Sequence, residues 1–291
     1  MKVLITGRDG QLARSLAERA AGHSELSLHF AARPECDLAV RGSAAVAIRT
    51  AQPDLVISAA AYTAVDKAEA EPDLAHRINA DAAGEIAEAA AAVGAPLIHV
   101  STDYVFGGTG AAPMREDEPI APLGAYGRTK AEGEAAVRAG QGDHLILRTA
   151  WVYSPFGANF VKTMLRLSRD REEIAVVADQ VGSPTNALDL AEVILALASR
   201  RATGDRAGWG ETYHAAGSGQ ASWAEFAAEI MRVSGAATRI RPIPTSDFPT
   251  PAKRPAWSVL DGSKLRHAFG LALPEWKDSL APVVKRLLDE R

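Results

Sequence analysis

The sequence predicts an α/β protein built on a doubly wound parallel sheet, with a smaller lobe formed mainly by its carboxy-terminal part. Three observations support this. The apolar, β-branched run Lys2 to Thr6 is interrupted by Gly7-Arg8-Asp9-Gly10 and followed by helical spacing at Leu12, Leu16 and Ala20, which reads as strand, glycine turn, helix. Strand-like and helix-like stretches then alternate, and strands joined through helices lie parallel. Pro53 to Ser58 ends in an unbroken apolar run, the mark of a strand covered on both faces.

Composition narrows the function classes. A chain of 291 residues, 47% hydrophobic and 23% charged, buries one large core and a smaller second one. Its net charge of −4 gives no electrostatic footprint for nucleic acid or an anionic membrane. Cys36 is the only cysteine, which excludes an intrachain disulfide and a cysteine-based metal cluster and fits a reduced, cytoplasmic setting. Val3-Leu4-Ile5 is too short for a secretory apolar region, and no later stretch is long enough for a membrane span.

In chain order, the glycine turn is G-x-x-G-x-x-A, ending at Ala13. Glycines between a strand and a helix let a pyrophosphate approach the backbone and sit against the free N–H groups and dipole of the helix start. Glu25 to Phe30 reads as the second strand. No acid follows it until Glu35, whereas Arg33 reads either as the acceptor of a 2′-phosphate or as a solvated loop cation, and the coenzyme expected is NADPH, with NADH also accepted. Cys36-Asp37-Leu38 reads as a short extended piece whose Asp37 is positioned for the adenine or its ribose. After the strand at 53–58, Ala59-Ala60-Ala61-Tyr62-Thr63 offers small residues along a coenzyme's path. Thr63-x-x-Asp66 has the spacing of a helix start. One helix is expected from Asp73 to Val93, carrying Asn79, followed by a strand at Leu97 to Val100 and, at its carboxyl end, Ser101-Thr102-Asp103-Tyr104-Val105-Phe106.

Tyr126-Gly-Arg-Thr-Lys130 places a phenol and an ammonium one helical turn apart, where the cation is able to lower the phenol's pKa and ready it to protonate a carbonyl oxygen. A Pro- and Gly-rich loop, 107–124, joins this pair to Thr102 and reads as a lid or substrate loop. Strand-end Thr102, Tyr126-x-x-x-Lys130 and the first glycine turn together resemble the extended short-chain dehydrogenase/reductase superfamily. The resemblance tightens through Gly10-Gln-Leu12, the block from Ala59 to Glu69, Ser101 to Phe106, Arg148-Thr-Ala-Trp-Val-Tyr153, Asp179-Gln-x-Gly-Ser-Pro-Thr185 and Thr250-Pro-Ala-Lys-Arg-Pro255. Over almost its whole length the chain resembles the dTDP-4-dehydrorhamnose reductase family, which implies NAD(P)H-dependent reduction of a dTDP-linked 4-keto-6-deoxy sugar.

That resemblance implies Tyr126 as proton donor, Lys130 as holder of the nicotinamide ribose and Thr102 as the group that orients the carbonyl. It implies substrate contacts from Thr102, Asp103, Trp151, Asn159 and Arg254, the last at the diphosphate; Trp151 also reads as core filling, and Arg254 as a solvated loop cation. Coenzyme contacts are expected from Gly7, Asp9, Gly10, Gln11, Leu12, Arg33, Asp37, Leu38, Ala59, Ala61, Tyr62, Thr63 and Val100, with Tyr126 and Lys130. Residues 1–153 and 186–216 are expected to form the dinucleotide-binding domain, and 154–185 and 217–291 the nucleotide-sugar lobe. Some relatives bridge a dimer through magnesium held by glutamates; Ser15 and Leu188 stand at those places, with Asp189 beside the second. No metal is therefore expected, and a monomer or a metal-free homodimer remains open. Two other readings share these motifs: a different nucleotide-sugar epimerase or reductase, and a non-enzymatic subunit like the regulatory subunit of methionine adenosyltransferase.

Overall fold

The computed structural model describes residues 1–290. Six strands make the central sheet: β1 (Lys2–Thr6), β2 (Ser27–Ala31), β3 (Leu55–Ser58), β4 (Leu97–Thr102), β5 (His144–Thr149) and β6 (Glu211–His214), in the spatial order β6-β5-β4-β3-β1-β2. Every neighbouring pair is parallel, as expected for strands joined through helices. The chain winds outward from β1 to β2, then returns past β1 to β3. Direction therefore reverses between β1 and β3, and their carboxyl ends, Thr6 and Ser58, border the crevice where such sheets hold ligands.

Both faces of the sheet are covered. Leu16 of helix Gln11–Arg19 and Ile194 of helix Ala187–Ala202 join Ile5, Ile57 and Leu147 in one core. Ile48, Ile86 and Val137, from three further helices, join Val56 and Ile146 in the other. All of β3 is buried, which accounts for its unbroken apolar run. A separate core gathers Tyr153, Val161, Phe226, Ile230, Trp276 and Leu280. Around it lie the parallel pair Glu173–Val177 and Arg239–Ile243, and Val181–Gly182 between Ala221–Ser222 and Trp257–Ser258.

Three local expectations are corrected. Cys36 to Leu38 is a turn, because the Asp37 carboxylate accepts from the Ala39 N–H (3.0 Å) and the Asp37 N–H donates to Ser43 (2.9 Å), bonds that compete with a strand ladder. Thr63 and Asp66 do not cap a helix: helix Val65–Ala70 starts at Ala64 without a side-chain cap, and Asp66 turns outward to the loop at Thr250–Arg254. The helix expected from Asp73 to Val93 is broken into Pro72–His76, a π-helical turn at Arg77–Asp81, and Ala82–Ala92. The turn carries Asn79 inward, where it accepts from the Tyr62 N–H (2.8 Å) and donates to the Tyr62 carbonyl (3.1 Å) and the Thr129 hydroxyl (3.2 Å). A π-turn is favoured where tertiary bonds such as these offset its looser backbone geometry.

Candidate active site

The crevice between β1 and β3 is bordered by a glycine turn and an uncapped helix start. Gly7, at φ +85°, turns the chain out of β1 and donates its N–H to the Ala31 carbonyl (2.7 Å); a Cβ here would lie 3.2 Å from the Ala60 Cβ. Gly10 then opens helix Gln11–Arg19 with no capping side chain and no acid in the first turn, leaving its N–H groups to an anion. Thr6 organises the facing wall, its hydroxyl accepting from Ala59 (3.1 Å) and Ala60 (3.2 Å). Asn79 holds Tyr62 from below.

Not every expected coenzyme contact faces this crevice by its side chain. Leu12 and Leu38 are buried in the two sheet cores. Gln11 reaches across to the lobe, donating to the Val152 carbonyl (3.3 Å) and accepting from Ser154 (2.8 Å) and Asn159 (3.0 Å). Asp9 is exposed and lies 3.6 Å from Arg8. Arg33, just past β2, is exposed and forms no ion pair among the described residues.

The carboxyl end of β4 and the start of helix Ala125–Gly140 carry Thr102, Tyr126 and Lys130. Glu69 caps that helix, accepting from the Ala125 N–H (2.8 Å). Gly127 lets it lie against the turn after β4, since a Cβ there would stand 2.1 Å from the Tyr104 carbonyl oxygen. The Tyr126 ring meets Tyr104 edge-on, centroids 5.6 Å apart. Thr102 donates to the Asp103 carboxylate (2.9 Å) and accepts from the Tyr104 N–H (3.2 Å). Asp103 is buried, which pushes its carboxyl up to about 6, and its second oxygen has no partner among the described residues.

Lys130 is 3% exposed and donates to the Val100 carbonyl (2.7 Å) and to His99 Nε2 (3.4 Å). An ammonium only donates, so Nε2 is the acceptor and His99 carries its proton on Nδ1, toward Ser58 (3.1 Å). Burial keeps that imidazole neutral, well below its ordinary pKa. Burial also lowers Lys130 to about 8, against the attraction of Glu134 one turn on. The expected lowering of the Tyr126 pKa by Lys130 does not appear: burial pushes the phenol up to about 12, while the ammonium is turned to Val100. A phenol so placed is fully protonated at neutral pH.

On the lobe side, Trp151 adopts φ +48° and stacks on Trp223, ring centroids 3.5 Å apart and planes 5° from parallel, so one face of its indole is occupied. Asn159 caps helix Phe160–Leu167 by accepting from Lys162 (3.1 Å), and its amide donates to Gln11 and to the Ser154 carbonyl (2.8 Å). Arg254 donates to the Asp66 carboxylate (2.7 Å), the Ala252 carbonyl (3.2 Å) and the Thr250 hydroxyl. Ser15 and Leu188, the positions weighed for a metal, are both buried, and Asp189 accepts from Ser279. The sequence assigns Thr6, Glu69, Asn79 and His99 no role at the site, because each acts through a bond to a distant segment.

A family model described as the RmlD substrate binding domain matches residues 1–289. A dTDP-4-dehydrorhamnose reductase of Sinorhizobium fredii is 45% identical over 294 residues, covering 100% of this chain and 99% of that protein. The crystal structure of a dTDP-4-dehydrorhamnose reductase from Clostridium acetobutylicum superposes with a TM-score of 0.93 at 40% identity, covering 99% of this chain and 100% of that one. That of the Bacillus anthracis dTDP-4-dehydrorhamnose reductase in complex with NADP superposes at 0.90 and 36%, covering 100% and 99%.

Proposed function

The chain belongs to the dTDP-4-dehydrorhamnose reductase family, and we propose that it reduces the C4 ketone of dTDP-4-dehydro-L-rhamnose to dTDP-L-rhamnose with NADPH. The observation that carries this reading is the gathering of the Tyr126 phenol, the Thr102 hydroxyl and the Lys130 ammonium around the carboxyl end of β4, beside the crevice at Gly7 and Gly10.

The coenzyme, when bound, supplies a hydride to C4. The carbonyl electron pair then moves onto O4, and Tyr126 gives O4 its phenolic proton, so the ketone becomes an alcohol. Burial keeps the phenol protonated until that charge develops. Thr102 is suited to orient the carbonyl once its O–H turns from Asp103 toward O4. Lys130 has two N–H groups directed to Val100 and His99, which leaves the third for a ribose hydroxyl. The unpartnered oxygen of Asp103 accepts a sugar hydroxyl in this reading, which offsets the cost of burying it alone. Arg33 takes the 2′-phosphate, and Arg254, whose planar fork suits phosphate oxygens, takes the substrate diphosphate. Trp151 offers its remaining face to the nucleotide sugar. We place the reaction in the cytoplasm, a setting supported by the lone, buried Cys36.

The test is NADPH oxidation with dTDP-4-dehydro-L-rhamnose, followed by absorbance. Tyr126→Phe is expected to lower kcat by about 10²–10⁴-fold, the usual size of a general-acid contribution. An absence of turnover in the wild type, or undiminished turnover in the variant, overturns the mechanism.

A further inference from the structure

We propose that Asp66 is a positioning residue for nucleotide recognition, holding the Thr250–Arg254 loop so that the Arg254 guanidinium meets the substrate diphosphate in a fixed orientation. The proposal rests on the reading of Arg254 given above. Both carboxylate oxygens of Asp66 are committed to this one loop: Oδ1 accepts from the Ala252 N–H at 3.2 Å and Oδ2 from Arg254 Nη2 at 2.7 Å, across 188 residues of sequence. Nη1 of Arg254 is committed to Thr250 and to the Ala252 carbonyl. Of the five guanidinium N–H groups, Nε–H and the second hydrogen on Nη2 are left without a partner among the described residues, and two donors are what bidentate contact with a phosphate needs.

The carboxylate has no competing task. Helix Val65–Ala70 starts without its help, and the Arg254 hydrogen bond holds its pKa below the ordinary range, so it is ionised at neutral pH. Its helix is itself fixed: Glu69, one turn on, binds the Ala125 N–H at the start of the catalytic helix, and Glu71 accepts from the Tyr62 hydroxyl. Asp66 thus refers the position of Arg254 to the same short helix that locates Tyr126. An arginine held in this way loses less side-chain freedom when a diphosphate arrives.

Asp66→Asn, Arg254→Ala and the double variant are compared with wild type for KM and kcat with dTDP-4-dehydro-L-rhamnose, for the Kd of dTDP by calorimetry, and for the Kd of NADPH. Arg254→Ala is expected to raise KM and the dTDP Kd about 10–100-fold, as loss of a charged hydrogen-bond partner does. Asp66→Asn is expected to raise both about 3–10-fold with kcat and NADPH affinity unchanged, a modest effect because the pair is partly exposed. The double variant should be no weaker than Arg254→Ala, since Asp66 acts only through the arginine. An Asp66→Asn enzyme equal to wild type, or a double variant with the product of the single effects, overturns the proposal. So does a fall in KM, which would mark Asp66 as a competitor for the guanidinium. If Arg254→Ala itself leaves KM and the dTDP Kd unchanged, the diphosphate reading of Arg254 fails, and the proposal with it.

Discussion

The floor of the site and its rim are built by opposite means. On the floor, Thr102, Asp103 and Lys130 are 5%, 1% and 3% exposed, and each is fixed by backbone groups or by another buried side chain. At the rim, Arg33 is exposed without an ion-pair partner among the described residues, and Arg254 is held by a carboxylate whose own side chain is 41% exposed. Buried polar groups are costly unless satisfied, so the floor keeps one geometry before any ligand arrives. Charges at the rim interact through water and are screened by salt. The contrast teaches that the floor geometry is locked by burial, whereas the rim cations, proposed above to meet anionic ligands, act through partly exposed charges that salt weakens.

The largest expected effect lies on the floor. Lys130→Met should lower kcat/KM about 10²–10³-fold, the loss seen when one well-placed donor is removed from a reaction centre. The wild type adds a pH signature. Because burial lowers Lys130 to about 8, its ammonium is present below that pH and lost as pH rises through it. NADPH affinity and kcat/KM should therefore fall through about pH 8, whereas Tyr126, pushed up to about 12, stays protonated in that window. An alkaline limb absent from wild type, or unchanged in the methionine variant, breaks the assignment.

A smaller effect should follow one layer below. Asn79→Ala leaves the Tyr62 N–H, the Tyr62 carbonyl and Thr129 without their shared partner. Unfolding in urea should show a loss of about 1–3 kcal/mol, and the KM for NADPH should rise about tenfold. An unchanged coenzyme KM would mean that the floor tolerates more movement than its burial suggests. The smallest effect belongs to the rim: Arg33→Ala should weaken NADPH about 3–10-fold, leave NADH unaffected, and matter less at high salt. Equal losses for both coenzymes would place Arg33 away from the 2′-phosphate.

How much of this was legible in the sequence follows the same division. The parallel sheet could be read because strand and helix periodicities are local, and Glu211–His214, within the 186–216 segment expected in the dinucleotide-binding domain, forms its edge beside β5. The glycine turn and the family motifs led to Thr102, Tyr126 and Lys130. What escaped was long-range. Asp66 has the spacing of a helix start, but its partner is 188 residues away. Lys130 lies one turn from Tyr126, yet its nitrogen bonds to β4, which i, i+4 spacing does not reveal. Alanine-rich periodicity concealed the π-turn at Asn79, since that turn depends on Tyr62 and Thr129 arriving from elsewhere.

The division of the lobe core has a consequence for how the protein is made. That core is drawn from residues between Tyr153 and Leu287, on both sides of the segment that forms β6. During synthesis the strands bordering the coenzyme crevice emerge first, and Arg254 reaches Asp66 only when most of the chain has left the ribosome. Under the proposed reading, a nascent chain therefore carries the walls of the coenzyme crevice before the lobe that would select a sugar, and the choice of substrate is the last property it acquires.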